Sequence, residues 1–456
     1  MITIEQASDA HDDVEANPMP VVRGPLVLVV LGSLLTGVAI AAIATLIVFA
    51  GAPEHIITGS AMVAFAAGWA MLALLTTRLT SQPQRWAYVP AAAMAATGVG
   101  LILLAPGDAG MTDAGWVWPP VMLALAGWTA VRMRRSLFGR VRWLLYPVIG
   151  ALALASVGGA GETIVRHHDA TGLAMPGTSY DIGGRRLHMH CTGRGTPTVV
   201  LESGLGEMSS NWARIAPAVG ATTRVCAYDR AGQGWSDDGA SPEDGLAVAR
   251  DLHALLTVSE ERTPVVLVGH SIGGIYAMTY AAQYPGEVAG MVLLDSSTPY
   301  QFDLPSYPAV YTMLQRGYGV APSLARVGVG LLVPHSMMSS LPSPAGSEVA
   351  AFATSPRDLR NARDELSRLP AAFDQAKGLH TLQGKPLAVL TATGSLHDTD
   401  GWSEAQDRLA ALSSSRSHRI VSATHAGMLD DEHGAAASAS AITAVVAAVR
   451  AGTPVR

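Results

Sequence analysis

The apolar and charged positions divide this chain into two unlike parts. Five charge-free windows occupy its first third, and each is long enough to cross a bilayer, which takes roughly 17 to 25 apolar residues. Beyond about residue 179, short apolar runs typical of strands alternate with amphipathic runs typical of helices. The pattern therefore predicts membrane-spanning helices followed by an α/β unit. The five windows are residues 24–53, 56–77, 86–107, 114–131 and 143–161.

Composition and loop charge extend this prediction. Charged residues make up 14% of the chain, against roughly 25% in ordinary soluble domains, and the windows lack the polar faces that core helices of a soluble domain would need. Arginines precede the first window, follow the second and separate the last two, while the other two loops carry none. The positive-inside rule places the arginine-bearing loops in the cytoplasm. Five spans then leave everything after residue 161 outside, so we expect a multi-pass cell-membrane protein with an extracytoplasmic C-terminal part.

Segment boundaries follow from the same patterns. Residues 1–22 are polar and acidic, and we expect them to form a disordered cytoplasmic tail. The transmembrane domain is predicted over residues 23–161. Residues 162–178 contain Gly, His and Pro and are expected to link it to an α/β domain over residues 179–456.

One strand–turn–helix stretch carries the strongest chemical signal. Residues 265–268 are apolar, as in a buried strand, residues 275–284 favour a helix, and residues 269–273 between them read Gly-His-Ser-Ile-Gly. A nucleophile elbow needs this spacing, because its strained turn presents the serine while the glycines let strand and helix pass closely. We therefore predict Ser271 as a nucleophile. The alternative is a serine in an ordinary strand–helix turn.

Three further motifs make residues 180–450 resemble an α/β-hydrolase. Residues 201–206 (LESGLG) resemble its oxyanion loop, residues 228–236 (YDRAGQGWS) its Asp-Arg-x-Gly-x-Gly-x-Ser turn, and residues 423–427 (ATHAG) its catalytic-histidine loop. The resemblance implies the α/β-hydrolase fold, with a mainly parallel sheet and a helical cap, preceded here by an all-helical transmembrane domain. It implies no particular substrate.

The resemblance also nominates partners for Ser271. His425 follows a predicted strand near the C-terminus, where the fold places its base, and His397 is the rival. The fold usually supplies the acid after the seventh strand, where Asp398 lies, but some members supply it at the end of the sixth, where Asp295 lies. We prefer Asp295, because a strand end fixes a carboxylate more firmly than an irregular loop, and orienting the histidine is the acid's main task. Asp398 stays open as the alternative.

Backbone donors and cysteines complete the candidate residues. The resemblance nominates the N–H groups of Leu205 and Ile272 for the oxyanion hole. It also makes the second and fourth strands neighbours, and Cys191 and Cys226 lie on those strands, so we predict a disulfide between them. Two small buried thiols are the alternative.

A long insertion interrupts the strand–helix alternation. Residues 298–384 are too long for a simple crossover, and in the resembled fold a helical cap enters here. Helix-like runs occur at residues 309–315, 324–332 and 357–369. The apolar residues 327–333 could line an acyl pocket or serve ordinary cap packing.

A serine at the elbow implies an acyl-enzyme. We therefore expect a membrane-anchored serine hydrolase that cleaves an ester, thioester or amide of a small acyl substrate, with a lipid as one candidate. An acyltransferase with the same triad and a catalytically inactive hydrolase-fold sensor are the alternatives. Net charge is −6, which argues against nucleic-acid binding. No cofactor or metal site is predicted, and the spans carry no ionisable residue of the kind that marks a transport path.

Overall fold

The N-terminal part of the molecule is a bundle of five long helices. The computed structural model describes residues 25–239, 242–334 and 340–455, so the predicted tail of residues 1–22 lies outside the described residues. The helices are α1 (Leu26–Ile43, continued by the π-helical Ala44–Val48), α2 (Glu54–Leu79), α3 (Tyr88–Leu104), α4 (Asp108–Ser136) and α5 (Tyr146–Gly172).

Six helices in the described residues are long and apolar enough to cross a membrane, and five of them are α1 to α5 with their flanking turns. The sixth, Glu432–Ala451, lies in the α/β part, where Ile442 and Val445 are fully buried. It is therefore a core helix. Helix α5 continues past Gly161 to Gly172, so most of residues 162–178, for which the sequence predicts a linker, is helical. Arg166 pairs with Glu162 one turn earlier, which favours continuing the helix.

Small residues bring the bundle helices together. A Cβ on Gly37 of α1 would lie 3.2 Å from the Cα of Gly68 of α2, and a Cβ on Gly98 of α3 would collide with the carbonyl of Gly59 of α2. Large apolar side chains such as Leu35 instead point outward. Close backbone contact inside and apolar side chains outside is the arrangement of helices packed in lipid.

The C-terminal part is built on one eight-stranded sheet. The strand order is β1-β2-β4-β3-β5-β6-β7-β8; β2 is antiparallel to β1 and β4, and the other pairs are parallel. The predicted mainly parallel sheet is thus confirmed. The strands are β1 (Thr178–Asp181), β2 (Arg186–Thr192), β3 (Val199–Glu202), β4 (Val225–Tyr228), β5 (Val265–His270), β6 (Val288–Leu294), β7 (Leu387–Ala392) and β8 (Arg416–Val421).

Helices cover both faces of this sheet. They are α6 (Ile215–Gly220), α7 (Gly245–Val258), α8 (Gly273–Gln283), α9 (Tyr307–Arg326), α10 (Ala345–Ala353), α11 (Pro356–Ala376), α12 (Thr393–Asp398), α13 (Trp402–Ala410), α14 (Gly427–Asp430) and α15 (Glu432–Ala451). Alternate side chains of β5 enter opposite cores: Leu267 packs beneath α7, α8 and α11, and Val268 packs beneath α6 and α15.

The insertion between β6 and β7 is helical. It contains α9, a short 3-10 turn at Gly330–Leu332, α10 and α11. The helix predicted over residues 324–332 is wrong, because α9 ends at Arg326 and Gly328 adopts φ +84°, a left-handed conformation that ends a helix. Residues 327–333 therefore form a turn followed by the short 3-10 turn after α9.

Candidate active site

Ser271 lies at the sharp turn between β5 and α8. It adopts φ 55°, which is strained for a residue with a side chain, and its position above the strand leaves it partly exposed. The flanking residues must be glycines, because a side chain at either position would collide with neighbouring backbone. A Cβ on Gly269 would collide with the backbone of Gly274, and a Cβ on Gly273 would collide with the carbonyl of Glu202 at the end of β3. The turn thus brings Ser271 against the loop that follows β3.

Asp295 holds His425 by a direct hydrogen bond. The Nδ1 atom of His425 lies 2.6 Å from Oδ2 of Asp295, which follows β6 and is fully buried. Oδ1 of Asp295 accepts from the backbone N–H of Ala392 at 3.1 Å and from the indole of Trp402 at 3.0 Å. The Ser395 hydroxyl donates to Oδ2. The carboxylate is therefore fixed on both oxygens and aimed at the imidazole.

The pKa of Asp295 follows from these contacts. Burial raises the pKa of this carboxyl, but the hydrogen bond and positive charge of His425, together with the Ser395 and Trp402 donors, outweigh burial and lower the pKa overall. The group is therefore ionised near neutral pH, and it favours the Nδ1–H tautomer of the histidine.

Asp398 is placed differently. The loop of residues 394–400, which the sequence indicated as irregular, begins with helix α12, and Asp398 is its last residue. Its side chain is exposed and forms no hydrogen bond or ion pair with any described residue. The structure therefore brings His425 together with Asp295 and leaves Asp398 outside the site. Ser395 and Trp402, which the sequence did not single out, come from the same region instead.

His425 is open on its other side. Its side chain is 45% exposed, and within the described residues neither its Nε2 atom nor the hydroxyl of Ser271 forms a hydrogen bond. The histidine ring lies 4.7 Å from that of His270, the residue before the serine. Catalytic hydrogen bonds are often long without substrate and tighten when it binds.

The loop after β3 presents backbone donors next to Ser271. In the described part of the chain, neither Leu205 nor Ile272 uses its N–H for a backbone or side-chain hydrogen bond. The buried guanidinium of Arg230 donates to the carbonyls of Ser203 and Gly204 at 2.6 and 2.8 Å, which fixes the loop from below. Both predicted oxyanion donors are thus free within the described residues; Ile272 directly follows Ser271, and Leu205 lies in the loop that Arg230 holds.

A buried histidine–glutamate pair, missed at the sequence level, joins the parts of the site. Nδ1 of His270 lies 3.0 Å from Oε2 of Glu207, and Nε2 lies 3.1 Å from the carbonyl oxygen of His425. Glu207 also accepts from the N–H of Gly204. The pair therefore connects the elbow, the oxyanion loop and the histidine loop. His270 is the variable residue of the elbow motif, and nothing in the local sequence marks Glu207.

His270 is charged in this arrangement. A carbonyl and an ionised carboxylate only accept hydrogen bonds, so both ring nitrogens of His270 must donate. Burial lowers the pKa of His270, but the charge and hydrogen bond of Glu207 outweigh it and raise that pKa overall. Burial raises the pKa of Glu207, and the contacts with His270 and Gly204 lower it overall. The two groups form a buried ion pair.

An aromatic wall lines one side of helix α9. The inner side of its first three turns packs against the same core as Leu205, using Tyr307, Tyr311, Leu314 and Tyr318. The Tyr311 hydroxyl donates to the carbonyl of Leu366 on α11 at 3.1 Å, and Glu365 of α11 binds the Arg230 guanidinium that holds the oxyanion loop. The aromatic wall is therefore linked to the oxyanion loop through α11.

The cysteines lie directly opposite each other on β2 and β4. Cys191 and Cys226 are register partners with Cα atoms 4.0 Å apart, and they form a disulfide. Glu261 lies beside them, but bonded sulfurs are not thiolate ligands for a metal. His188, on the same strand as Cys191, has no ring nitrogen left for a metal, because Asp229 and the carbonyl of Pro176 occupy both.

Comparisons with known proteins give one matching family model and several similar proteins. A family model described as the alpha/beta hydrolase fold matches residues 197–432. The uncharacterized protein YbdG of Bacillus subtilis (strain 168) is 28% identical over 187 residues, which is 39% of this chain and 55% of YbdG. The putative carbamate hydrolase RutD of Cronobacter turicensis is 30% identical over 136 residues, covering 26% of this chain and 50% of RutD. The chain thus spans only about half the length of these relatives.

Further similarities cover a small share of the relative or have low sequence identity. The probable transporter efuK of Hormonema carpetanum is 31% identical over 130 residues, which is 27% of this chain and 19% of efuK. Among solved structures, a thermophilic esterase from Thermogutta terrifontis has 22% identity and a TM-score of 0.45, covering 59% of this chain and 97% of that one. The enol-lactonase from Burkholderia xenovorans LB400 has 18% identity and a TM-score of 0.46, covering 59% and 100%.

Proposed function

The chain belongs to the alpha/beta hydrolase fold family, and we propose that it is a membrane-anchored serine hydrolase that cleaves an ester through an acyl-enzyme. The observation that carries the proposal is the hydrogen bond from His425 to the buried Asp295, beside the strained turn that presents Ser271. A serine nucleophile, rather than a carboxylate, limits the chemistry to acyl transfer.

Each residue has a defined part in this mechanism. Ser271 Oγ attacks the acyl carbon while Nε2 of His425 takes the hydroxyl proton, and the N–H groups of Leu205 and Ile272 stabilise the oxyanion. Asp295 stabilises the imidazolium. His425 then protonates the departing alcohol, which leaves the acyl group on Ser271. Water attacks this ester with His425 as the base, and the acid is released as the serine regains its proton.

Active-site labelling tests the nucleophile. A fluorophosphonate probe should label the wild-type chain, and Ser271→Ala should abolish labelling and lower kcat for p-nitrophenyl esters by on the order of 10⁶. Ser422→Ala is the matched control, because Ser422 is an exposed serine just before the histidine loop. Labelling that persists in Ser271→Ala would sink the assignment. A panel of ester chain lengths then defines the acyl preference.

The proposal also places the hydrolase domain outside the cytoplasm. The alternating arginine loops support five spans, and the Cys191–Cys226 disulfide suits an oxidising compartment. A C-terminal alkaline phosphatase fusion should be active and a C-terminal green-fluorescent fusion dark. The same reporters placed after Phe138, between α4 and α5, should give the opposite result. Fluorescence at the C-terminus would mean an even number of spans.

A further inference from the structure

The end of the cap carries an apolar edge, which we define as residues 327–333. Its sequence is Val-Gly-Val-Gly-Leu-Leu-Val, without one polar side chain. Val329 and Leu331 are exposed, and Leu332 is 80% exposed. Soluble surfaces carry such side chains singly, whereas a continuous apolar segment marks a contact with something apolar.

The apolar edge lies directly against membrane helix α5. A Cβ on Gly158 would collide with the carbonyl of Val327, and a Cβ on Gly328 would collide with the backbone of Gly158. Leu331 approaches Gly161, with its Cδ1 atom 3.5 Å from where a Cβ would stand. The edge and the helix are therefore in backbone contact, with no room for lipid or water between them.

The contact between the apolar edge and α5 lies further into the spans than the charged residues at their ends. Gly158 is four residues, about 6 Å, further into the span than Glu162, the first charged residue at that end of α5. A Cβ on Gly159 would lie 3.5 Å from Pro119 of α4, which is six residues, about 9 Å, beyond Asp113. The apolar edge thus reaches the depth at which both helices carry only uncharged residues.

Charged groups mark the upper boundary of this contact. Arg326, the last residue of α9, binds Glu54 of α2 at 2.5 Å and Asp108 of α4 at 2.7 Å. Ser323, one turn earlier, hydrogen-bonds Thr58 of α2 at 2.6 Å. Both carboxylates stand in the first turn of their helices. The cap is therefore attached where the charged ends of the bundle meet its apolar part.

Helix α9 runs from this boundary to the active site. Tyr311 of α9 donates to the carbonyl of Leu366 on α11, next to Glu365, which binds the Arg230 guanidinium beneath the oxyanion loop. Tyr311 is 15 residues, about 22 Å, from Arg326 along the helix axis. Gly319 lies against Gly51 in the loop between α1 and α2, where a Cβ would be 3.0 Å from the Gly51 nitrogen. The aromatic wall of the site therefore rests on the outer end of the bundle.

We propose that the apolar edge inserts into the hydrocarbon layer of the bilayer and that the substrate is an ester of a membrane-resident lipid. Its acyl chain stays in the bilayer beside the edge, and the ester carbonyl reaches Ser271 from the side of the site that α9 joins to the membrane. This substrate class rests on the serine-hydrolase function proposed above. It explains why an apolar, exposed segment is fixed against a membrane helix instead of being folded into the cap.

Insertion is tested with the full chain in phosphatidylcholine nanodiscs. Cys191 and Cys226 are disulfide-bonded, so Leu332→Cys introduces a single reactive thiol for a fluorescent label. The label should be quenched by lipids carrying a spin label on the acyl chain and protected from iodide in the water. Val258→Cys is the control, since Val258 is an exposed apolar residue at the end of α7, and its label should respond to iodide alone. A water-accessible label at position 332 overturns insertion.

The substrate class is tested by kinetics with two esters. Leu332→Glu should lower the hydrolysis of a long-chain diacylglycerol in vesicles by on the order of 10-fold or more, because a charge is costly in the hydrocarbon layer. Its hydrolysis of water-soluble p-nitrophenyl acetate should match that of wild type, which also shows that the variant folds. Val258→Glu should change neither rate.

The outcomes separate this inference from the proposed function. A wild-type chain that hydrolyses p-nitrophenyl acetate but no vesicle ester overturns the substrate class and leaves the serine-hydrolase function standing. A chain that hydrolyses neither overturns both. Equal loss of both rates in Leu332→Glu also overturns the inference, because the edge would then act on folding and not on lipid access.

Discussion

The helical bundle and the hydrolase domain use apolar residues in opposite ways. Two helices of similar length illustrate this, because Leu26–Val48 and Glu432–Ala451 both satisfy the length and composition of a membrane span. In the most apolar part of each, 22% of the residues are buried in the first helix and 50% in the second. Leu35 of the first is 65% exposed, whereas Ile442 of the second is fully buried. Composition therefore indicates an apolar helix, and only its neighbours decide between lipid and core.

Charged groups show the same contrast. In the bundle they stand at helix ends, and Glu54 and Asp108 meet Arg326 there. In the hydrolase domain they form pairs around the candidate site in which one partner is fully buried, as in Asp295 with His425 and His270 with Glu207. Charged groups in the bundle thus lie near the ends of its apolar stretches, while those in the hydrolase domain surround the candidate site. The apolar edge of the cap is where the two arrangements meet.

The largest expected effect tests whether buried charge carries the chemistry. Asp295→Asn should lower kcat by about 10⁴, because the amide stabilises the wrong histidine tautomer and cannot stabilise the imidazolium. Asp398→Asn is the matched control and should retain near-normal kcat, since Asp398 is exposed. Steady-state kinetics on a p-nitrophenyl ester decides between them. Collapse of turnover in Asp398→Asn with a normal Asp295→Asn would reverse the assignment.

An intermediate effect tests the contrast between the two helices. Ile442→Ala should lower the free energy of unfolding of the hydrolase domain by about 2–5 kcal/mol, because it leaves a cavity under the sheet. Leu35→Ala in α1 should leave the free energy of unfolding nearly unchanged. Leu35 points away from the other helices, so lipid fills the space that its side chain leaves. Denaturant midpoints of activity loss in nanodiscs measure both. A large loss for Leu35→Ala would show that this face of α1 contacts protein and not lipid.

The smallest expected effect concerns pH and the His270–Glu207 pair. The folded-state pKa of His270 is raised above its ordinary 6.5, so its stabilisation is complete below 6.5 and is lost as pH rises through the raised value. The pKa of Glu207 is lowered from 4.5, so its contribution is present above 4.5 and is lost as pH falls through the lowered value. Wild type should therefore lose stability as pH rises above 6.5, and His270→Gln should lack that loss.

Denaturant midpoints between pH 6 and 9 measure this pH dependence, with the kcat/KM profile as a second readout. His253→Gln is the control, because His253 pairs with Glu287 at a partly exposed position where such pairs contribute little. An unchanged slope in His270→Gln would mean that another group titrates. The charged and titratable groups that act on the pair from neighbouring elements are His425, Asp295, Asp430 and Tyr318.

The sequence by itself determined the local elements of this protein. The charge-free windows located α1 to α5, and the strand and helix predicted at residues 265–268 and 275–284 agree with β5 and α8. The elbow was recognisable because its two glycines must lack side chains. A side chain there would collide with backbone within ten residues of Ser271 or with the adjacent end of β3. Periodicity and turn chemistry act over short distances, so they can be read without the fold.

Tertiary structure alone decided the rest, because those contacts join residues far apart in the chain. Asp295 and His425 are 130 residues apart, and only the order of β6, β7 and β8 in the sheet brings their strand ends together. His270 and Glu207 are 63 residues apart, and neither shows by itself that it belongs to an ion pair. The apolar edge of the cap looks like any buried segment in sequence. Its exposure and its contact with α5 depend on how the bundle and the cap are packed, which no local pattern encodes.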